Sequence, residues 1–130
     1  MVLPVTSLYV LPLTIIYLGL FFAVSAKRSN LSVSIGDAGD VALHERIRRH
    51  GNFVEWVPLV LLLLVIAELQ GTPRLWLHLA GGLLVLGRVI HPIGLKATAP
   101  THPLRIAGNS TNLLATVILT IAISYAAFIG

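Results

Sequence analysis

Long apolar runs alternate with short polar ones along this chain. The pattern predicts four membrane-spanning helices, at roughly 8–26, 44–70, 74–95 and 103–128. Each is long enough to cross a hydrocarbon core of about 30 Å. The polar stretch Ser29–Val41, rich in Ser, Gly, Asp and Asn, reads as a connecting loop, with Asp40 placed to cap the second helix. Gly71-Thr72-Pro73 reads as a tight turn that sends the third span back antiparallel, and Lys96–Thr101 as a second polar loop. Pro103 suits the first turn of the last span. Ala80, Gly87 and Gly94 fall at heptad spacing on the third span, a small-residue face of the kind through which membrane helices approach closely.

Composition agrees with this pattern. The 130 residues are 56% hydrophobic and 11% charged, with a mean hydropathy of +0.90. A soluble domain of this length needs a far more polar surface, so the expected class is an all-α integral membrane protein, one four-helix bundle over residues 1–130. There is no cysteine, hence no disulfide, no thiolate metal site and no cysteine nucleophile. The five histidines show neither HxxxH nor HExxH spacing, so no metal site is expected. The net charge of +4 comes from basic residues at helix ends, not from an aromatic-rich surface, which argues against nucleic acid as a partner.

Charge also sets topology. Lys27, Arg28, Arg46, Arg48, Arg49, Arg88, Lys96 and Arg105 lie towards the two loops, and only Arg74 lies at the opposite end. By the positive-inside rule the loops are cytoplasmic and both termini external. Val24-Ser25-Ala26 resembles a signal-peptidase site, but the run has no basic segment before it and Lys27-Arg28 directly after it, so an uncleaved first span is expected.

The second span is the unusual one. Arg-Ile-Arg-Arg-His-Gly-Asn-Phe-Val-Glu-Trp-Val-Pro, residues 46–58, runs into Leu59–Ile66 with no turn signal between. At about 100° per residue, Arg48, Asn52 and Glu55 share one face. A guanidinium, an amide and a carboxylate near membrane depth are costly without partners or a ligand. The bland alternative is a structural network, Glu55 pairing with Arg48 or Arg88 and Asn52 bonding backbone. The basic helix starts at Arg46–Arg49 and Arg105 together form a candidate anion site, against the alternative of topology determination and headgroup binding. Arg88 and His91 share a face of the third span; a lone His there is more often a hydrogen-bonded packing residue. Glu68 and His78 are expected to face headgroups or water. Asn109-Ser110-Thr111-Asn112 reads as helix-packing glue. Trp56 and Trp76 read as interfacial anchors, or Trp56 as the wall of a ligand cleft.

Arg48-x-His50-x-Asn52-x-x-Glu55-Trp56-x-Pro58 resembles the Arg-x-x-x-Asn-x-x-Glu-aromatic-x-Pro signature of MAPEG proteins, the membrane-associated proteins in eicosanoid and glutathione metabolism. The resemblance extends over the chain: its length, its four spans, Gly-Arg-x-x-His in the third span and a basic residue opening the fourth. It implies a homotrimer with glutathione as co-substrate, bound between neighbouring subunits near the cytosolic side, in a bacterial inner membrane if the chain is prokaryotic, as its short termini suggest. It assigns the glutathione backbone to Arg48, Asn52 and Glu55, with the glutamate receiving the amino group. It gives Lys27 and Arg28 a reach from the adjacent subunit and makes His50 a further polar lining residue. Trp56 keeps the aromatic wall where the family often has Tyr. Arg88 and His91 complete the polar set, and Arg105 matches the arginine proposed to stabilise the glutathione thiolate. A thiol of pKa about 8.5 is only a few per cent ionised at neutral pH, and a guanidinium at a helix N-terminus lowers that value.

His91 and Leu95 stand where leukotriene C synthase-like members carry two tyrosines, which argues against a specialised eicosanoid enzyme. The implied activity is therefore glutathione-dependent transfer, with peroxidase activity as a variant, on hydrophobic electrophiles arriving from the lipid. A non-catalytic lipid-binding scaffold of the same fold is the alternative. A four-span exporter of cationic drugs is a remote third, because the first span carries no membrane-embedded carboxylate.

Overall fold

The computed structural model describes residues 2–129, and among them there are four long helices and no strand. They are α1 (Pro4–Leu31), α2 (Val41–Leu69), α3 (Arg74–Gly94) and α4 (Pro103–Phe128). All four are long and apolar enough to cross a membrane. The outer surface carries large apolar side chains such as Leu11, Ile15, Phe22, Leu62 and Ile121. In water this would be an aggregation surface; in a bilayer it is the lipid-facing surface.

α1 outruns the expected span at both ends. It opens with Pro4 in its first turn and continues through Lys27-Arg28-Ser29-Asn30 before Ser32, at φ 55°, closes it in the left-handed region. The amides of Ser32 and Val33 bond the carbonyls of Ser29 and Arg28 at 3.1 and 3.0 Å, which satisfies the exposed helix end. Hydropathy marks the membrane-compatible part of a helix, whereas its hydrogen bonding continues into the headgroup layer. At the start of α2, Asp40 caps as expected, its Oδ1 accepting the Leu43 amide at 2.7 Å. Its other oxygen lies 3.1 Å from Lys27 Nζ, which ties the end of α1 to the start of α2. The Leu43 amide and then Lys27 hold the Asp40 carboxyl below its ordinary value. Gly71, at φ 80°, makes the turn between α2 and α3.

α1 packs on α2 and α3, α4 packs on α3 and α2, and α1 and α4 do not touch. The α3–α4 contact is the most extensive and follows the small-residue seam: Ala80, Gly87 and Gly94 are all buried. A Cβ at Gly87 would lie 2.5 Å from Thr111 Oγ1 and 2.6 Å from the Gly108 carbonyl oxygen, so only glycine permits this approach. The core between the helices is aliphatic: Leu13, Val57, Val60, Leu64, Leu84, Ala115 and Leu119. Dispersion and close fit hold such a core in lipid, where burial of apolar surface drives little.

One expectation fails at the end opposite the loops. Glu68 does not simply face headgroups or water. Its carboxylate accepts the Val5 and Thr6 amides, both at 2.8 Å, and the Thr6 hydroxyl at 2.6 Å. These are amides of the first turn of α1, which has no side-chain cap of its own. A carboxylate from α2 therefore takes the role of the missing cap and meets the positive end of the α1 dipole. His78 stays exposed, yet its Nδ1 lies 3.1 Å from the Tyr9 hydroxyl, which donates to the His78 carbonyl at 3.0 Å. Both residues join α1 to its neighbours.

Candidate functional site

At the loop end, α2, α3 and α4 diverge around a cleft of about 270 Å³. α2 contributes His44, Glu45, Arg48 and Asn52, spaced by helical turns. α3 and the loop after it contribute His91, Leu95, Lys96, Ala97 and Pro100; α4 contributes Arg105 and Asn109. Arg48, Asn52, His91 and Arg105, all expected at the site, meet here.

The cleft is cationic. Arg48, Lys96 and Arg105 line it against one carboxylate, Glu45, which is already engaged. Glu45 lies 3.1 Å from Arg49 Nη2 and accepts the Ala97 amide at 2.7 Å. The same Arg49 donates to the Leu95 carbonyl at 2.8 and 3.2 Å, so Glu45 and Arg49 together fix the loop that roofs the cleft. Arg105, in the first turn of α4, donates to the Pro100 carbonyl at 3.1 Å. Its remaining donors, beside the N-terminal amides of α4, suit an anion.

Beneath the cleft lies a buried polar layer. Arg88 is 1% exposed. Its Nη1 donates to Asn52 Oδ1 at 2.5 Å and its Nη2 to the Gly108 carbonyl at 3.4 Å. Asn52 is thereby oriented from below, with its amide oxygen committed to Arg88. His91 is also 1% exposed, and neither ring nitrogen has a hydrogen-bond partner among the described residues. The expected hydrogen-bonded packing histidine is thus a buried imidazole facing the cleft without its bonds. Asn109 Oδ1 is similarly buried and unpartnered. Such atoms cost free energy unless something polar meets them.

The other expected site residues lie outside the lining of this cleft. Glu55 is on the same face as Arg48, 3.3 Å from its Nη1, with both side chains about half exposed. Arg28 Nη1 donates to the Gly36 carbonyl at 2.8 Å, and Lys27 is paired with Asp40. His50 packs against Tyr17 and Phe21, with ring centroids 5.4 and 6.3 Å away, between α1 and α2. Trp56 packs against the aliphatic core instead of lining the cleft. Sequence reasoning overlooked His44, Glu45, Lys96 and Asn109 as lining residues. The signal was present in the spacing, because His44 precedes Arg48 by four residues and Asn109 follows Arg105 by four.

Four helices long and apolar enough to cross a membrane, with a cationic cleft lined by three of them at the loop end, define an integral membrane protein. The chain matches the MAPEG family over residues 6–125, and it belongs to that family. It is 32% identical over 90 residues to the inner membrane protein YecN of Escherichia coli strain K12, an alignment covering 69% of each chain. The same protein from Escherichia coli O6:H1 matches equally well. No solved structure matches. The resemblance carried by the second-span motif is thereby confirmed at the level of family, and a prokaryotic membrane protein agrees with these relatives.

Proposed function

We propose that the cleft binds glutathione as a co-substrate and that the protein transfers it to hydrophobic electrophiles dissolved in the membrane. The observation that carries this reading is the convergence of Arg48, Asn52, His91 and Arg105 on one cationic cleft at the loop end of the bundle. Glutathione brings two carboxylates, an ammonium and a thiol. Arg48 and Lys96 complement carboxylates, Glu55 complements the ammonium, and Arg105 at the α4 N-terminus complements a thiolate. The chemistry is proximity and electrostatics: the thiol loses its proton to solvent, the guanidinium holds the sulfur anion, and the electrophile enters from the lipid. No protein nucleophile is needed, in keeping with a chain that has no cysteine.

A volume of about 270 Å³ is small for this ligand. Arg48, which lines the cleft, pairs with Glu55 outside the lining, and both side chains are about half exposed. Both features fit a site completed by a neighbouring copy in a homotrimer, with Lys27 and Arg28 of that copy released from Asp40 and Gly36 towards the ligand. The basic loop end then faces the cytoplasm, where glutathione is supplied.

The second reading is a non-catalytic lipid-binding scaffold. It is favoured by the commitment of the Asn52 amide oxygen to Arg88, as a purely structural network would have it. A conjugation assay with glutathione and an apolar aryl halide, on wild type and Arg105→Ala, separates the readings. Transfer by the wild type, lost in the variant while glutathione binding is largely kept, supports the enzyme. Absence of transfer by intact wild type supports the scaffold, and equal loss of binding and turnover removes the role assigned to Arg105.

A further inference from the structure

A second groove lies on the other side of α2. It has a volume of about 440 Å³ and is lined by Leu20 and Ala23 of α1, Arg46 and Arg49 of α2, and Pro92 and Ile93 of α3. Arg46 and Arg49 are three residues apart and share this face, whereas Arg48 turns into the cleft. Arg46 Nη1 donates to the Ala23 carbonyl at 2.9 Å, and Arg49 to the Leu95 carbonyl at the end of α3. Both guanidinium groups are therefore pinned where α1 and α3 approach the membrane surface.

The two guanidinium groups of the groove differ in charge balance. Lys27 is paired with Asp40, Arg48 with Glu55 and Arg49 with Glu45; Arg46 has no carboxylate partner among the described residues. It is half-buried and uses a single backbone acceptor, so most of its donors remain available. An uncompensated guanidinium at this depth is costly unless an anion meets it. The rest of the wall, Leu20, Pro92 and Ile93, is apolar. The groove is thus cationic beside an apolar wall, and a soluble anion would leave that wall unused.

We propose that this groove binds one anionic phospholipid, its phosphate on Arg46 and Arg49 and an acyl chain along Leu20, Pro92 and Ile93. The ligand matches both halves of the groove, because lipids alone carry a phosphate and an alkyl chain in that order along the membrane normal. The site is separate from the cleft and does not depend on glutathione binding there. Through Arg49, which also holds Glu45 and the Leu95 carbonyl, a bound phosphate touches the same residue that fixes the cleft roof.

The test is native mass spectrometry of the full-length protein in neutral detergent, titrated with phosphatidylglycerol, phosphatidylcholine or glycerol 1-phosphate. The expected result is a preference for phosphatidylglycerol over phosphatidylcholine that falls about fivefold in Arg46→Gln, the equivalent of roughly 1 kcal/mol for one basic residue at an anionic surface. Arg46→Lys should keep the preference, and Ile93→Trp, which fills the apolar wall without touching charge, should lose retention of the lipid. Equal retention of both lipids, or an unchanged preference in Arg46→Gln, overturns the proposal. Displacement of phosphatidylglycerol by glycerol 1-phosphate makes this a free-anion site, and cross-linking of Ile93→Cys protomers to one another in membranes makes it an interface between copies; either result also overturns it.

Discussion

Of the three carboxylates on α2, Glu55 and Glu68 are treated in opposite ways. Glu68, near one end, accepts three hydrogen bonds from the first turn of α1 at 2.6–2.8 Å. Glu55, at the middle of the helix, has one guanidinium contact at 3.3 Å and remains half exposed. A charge at membrane depth must be met by donors. Glu68 is met by α1 and has little capacity left; Glu55 is met weakly and has most of its capacity free. The first is a structural carboxylate and the second is one that can still take a ligand. Sequence position alone makes them look alike.

The largest expected difference is in stability. Glu68→Ala strands two amides and a hydroxyl, and should lower stability by about 2–3 kcal/mol in thermal unfolding followed by circular dichroism in detergent. Glu55→Ala, which removes a half-exposed pair, should cost under about 1 kcal/mol. Comparable losses would erase the distinction. The order reverses for ligand affinity. Glu55→Gln should weaken glutathione binding about tenfold in calorimetry, the scale of one charge-assisted hydrogen bond, whereas Glu68→Gln should leave it unchanged. An unchanged affinity in Glu55→Gln would assign that residue to the Arg48 pair alone.

Thr6→Val, which deletes one of the three bonds to Glu68 and keeps the side-chain shape, should cost about 1 kcal/mol. The smallest effect belongs to the half-buried cap at the loop end. Asp40 has a folded-state value below its ordinary one, so its contribution is complete above the ordinary carboxylate range near pH 4 and is lost as pH falls through the lower folded value. The stability gap between wild type and Asp40→Asn should therefore be constant at neutral pH and narrow below about pH 4; a gap that persists in acid would mean that the cap does not act through its charge.

The contrast between the two glutamates also shows what the sequence could reveal. Local signals were legible: four apolar runs, the Asp40 cap, the turn at Gly71, and the glycine seam of α3, because each depends on neighbours within a few residues. The Arg48–Glu55 pairing was one of the stated alternatives, since helical spacing places it. The Glu68 clamp was not legible, because its partners are 62 and 63 residues away in α1. Nor was the commitment of Asn52 to Arg88 across 36 residues, which depends on the α2–α3 packing angle. The motif identified the family and, in the cleft, Arg48 and Asn52, while the positions of His50 and Trp56 were decided by packing against α1 and the core.

The central claim is that the cleft ionises a bound thiol through Arg105. Near-ultraviolet thiolate absorbance, recorded as glutathione is titrated into the detergent-solubilised protein at neutral pH, tests it directly. The account predicts a saturable thiolate signal in the wild type that disappears in Arg105→Ala while glutathione still binds. A wild-type protein that binds glutathione without any thiolate signal, or a signal that survives in Arg105→Ala, would contradict it.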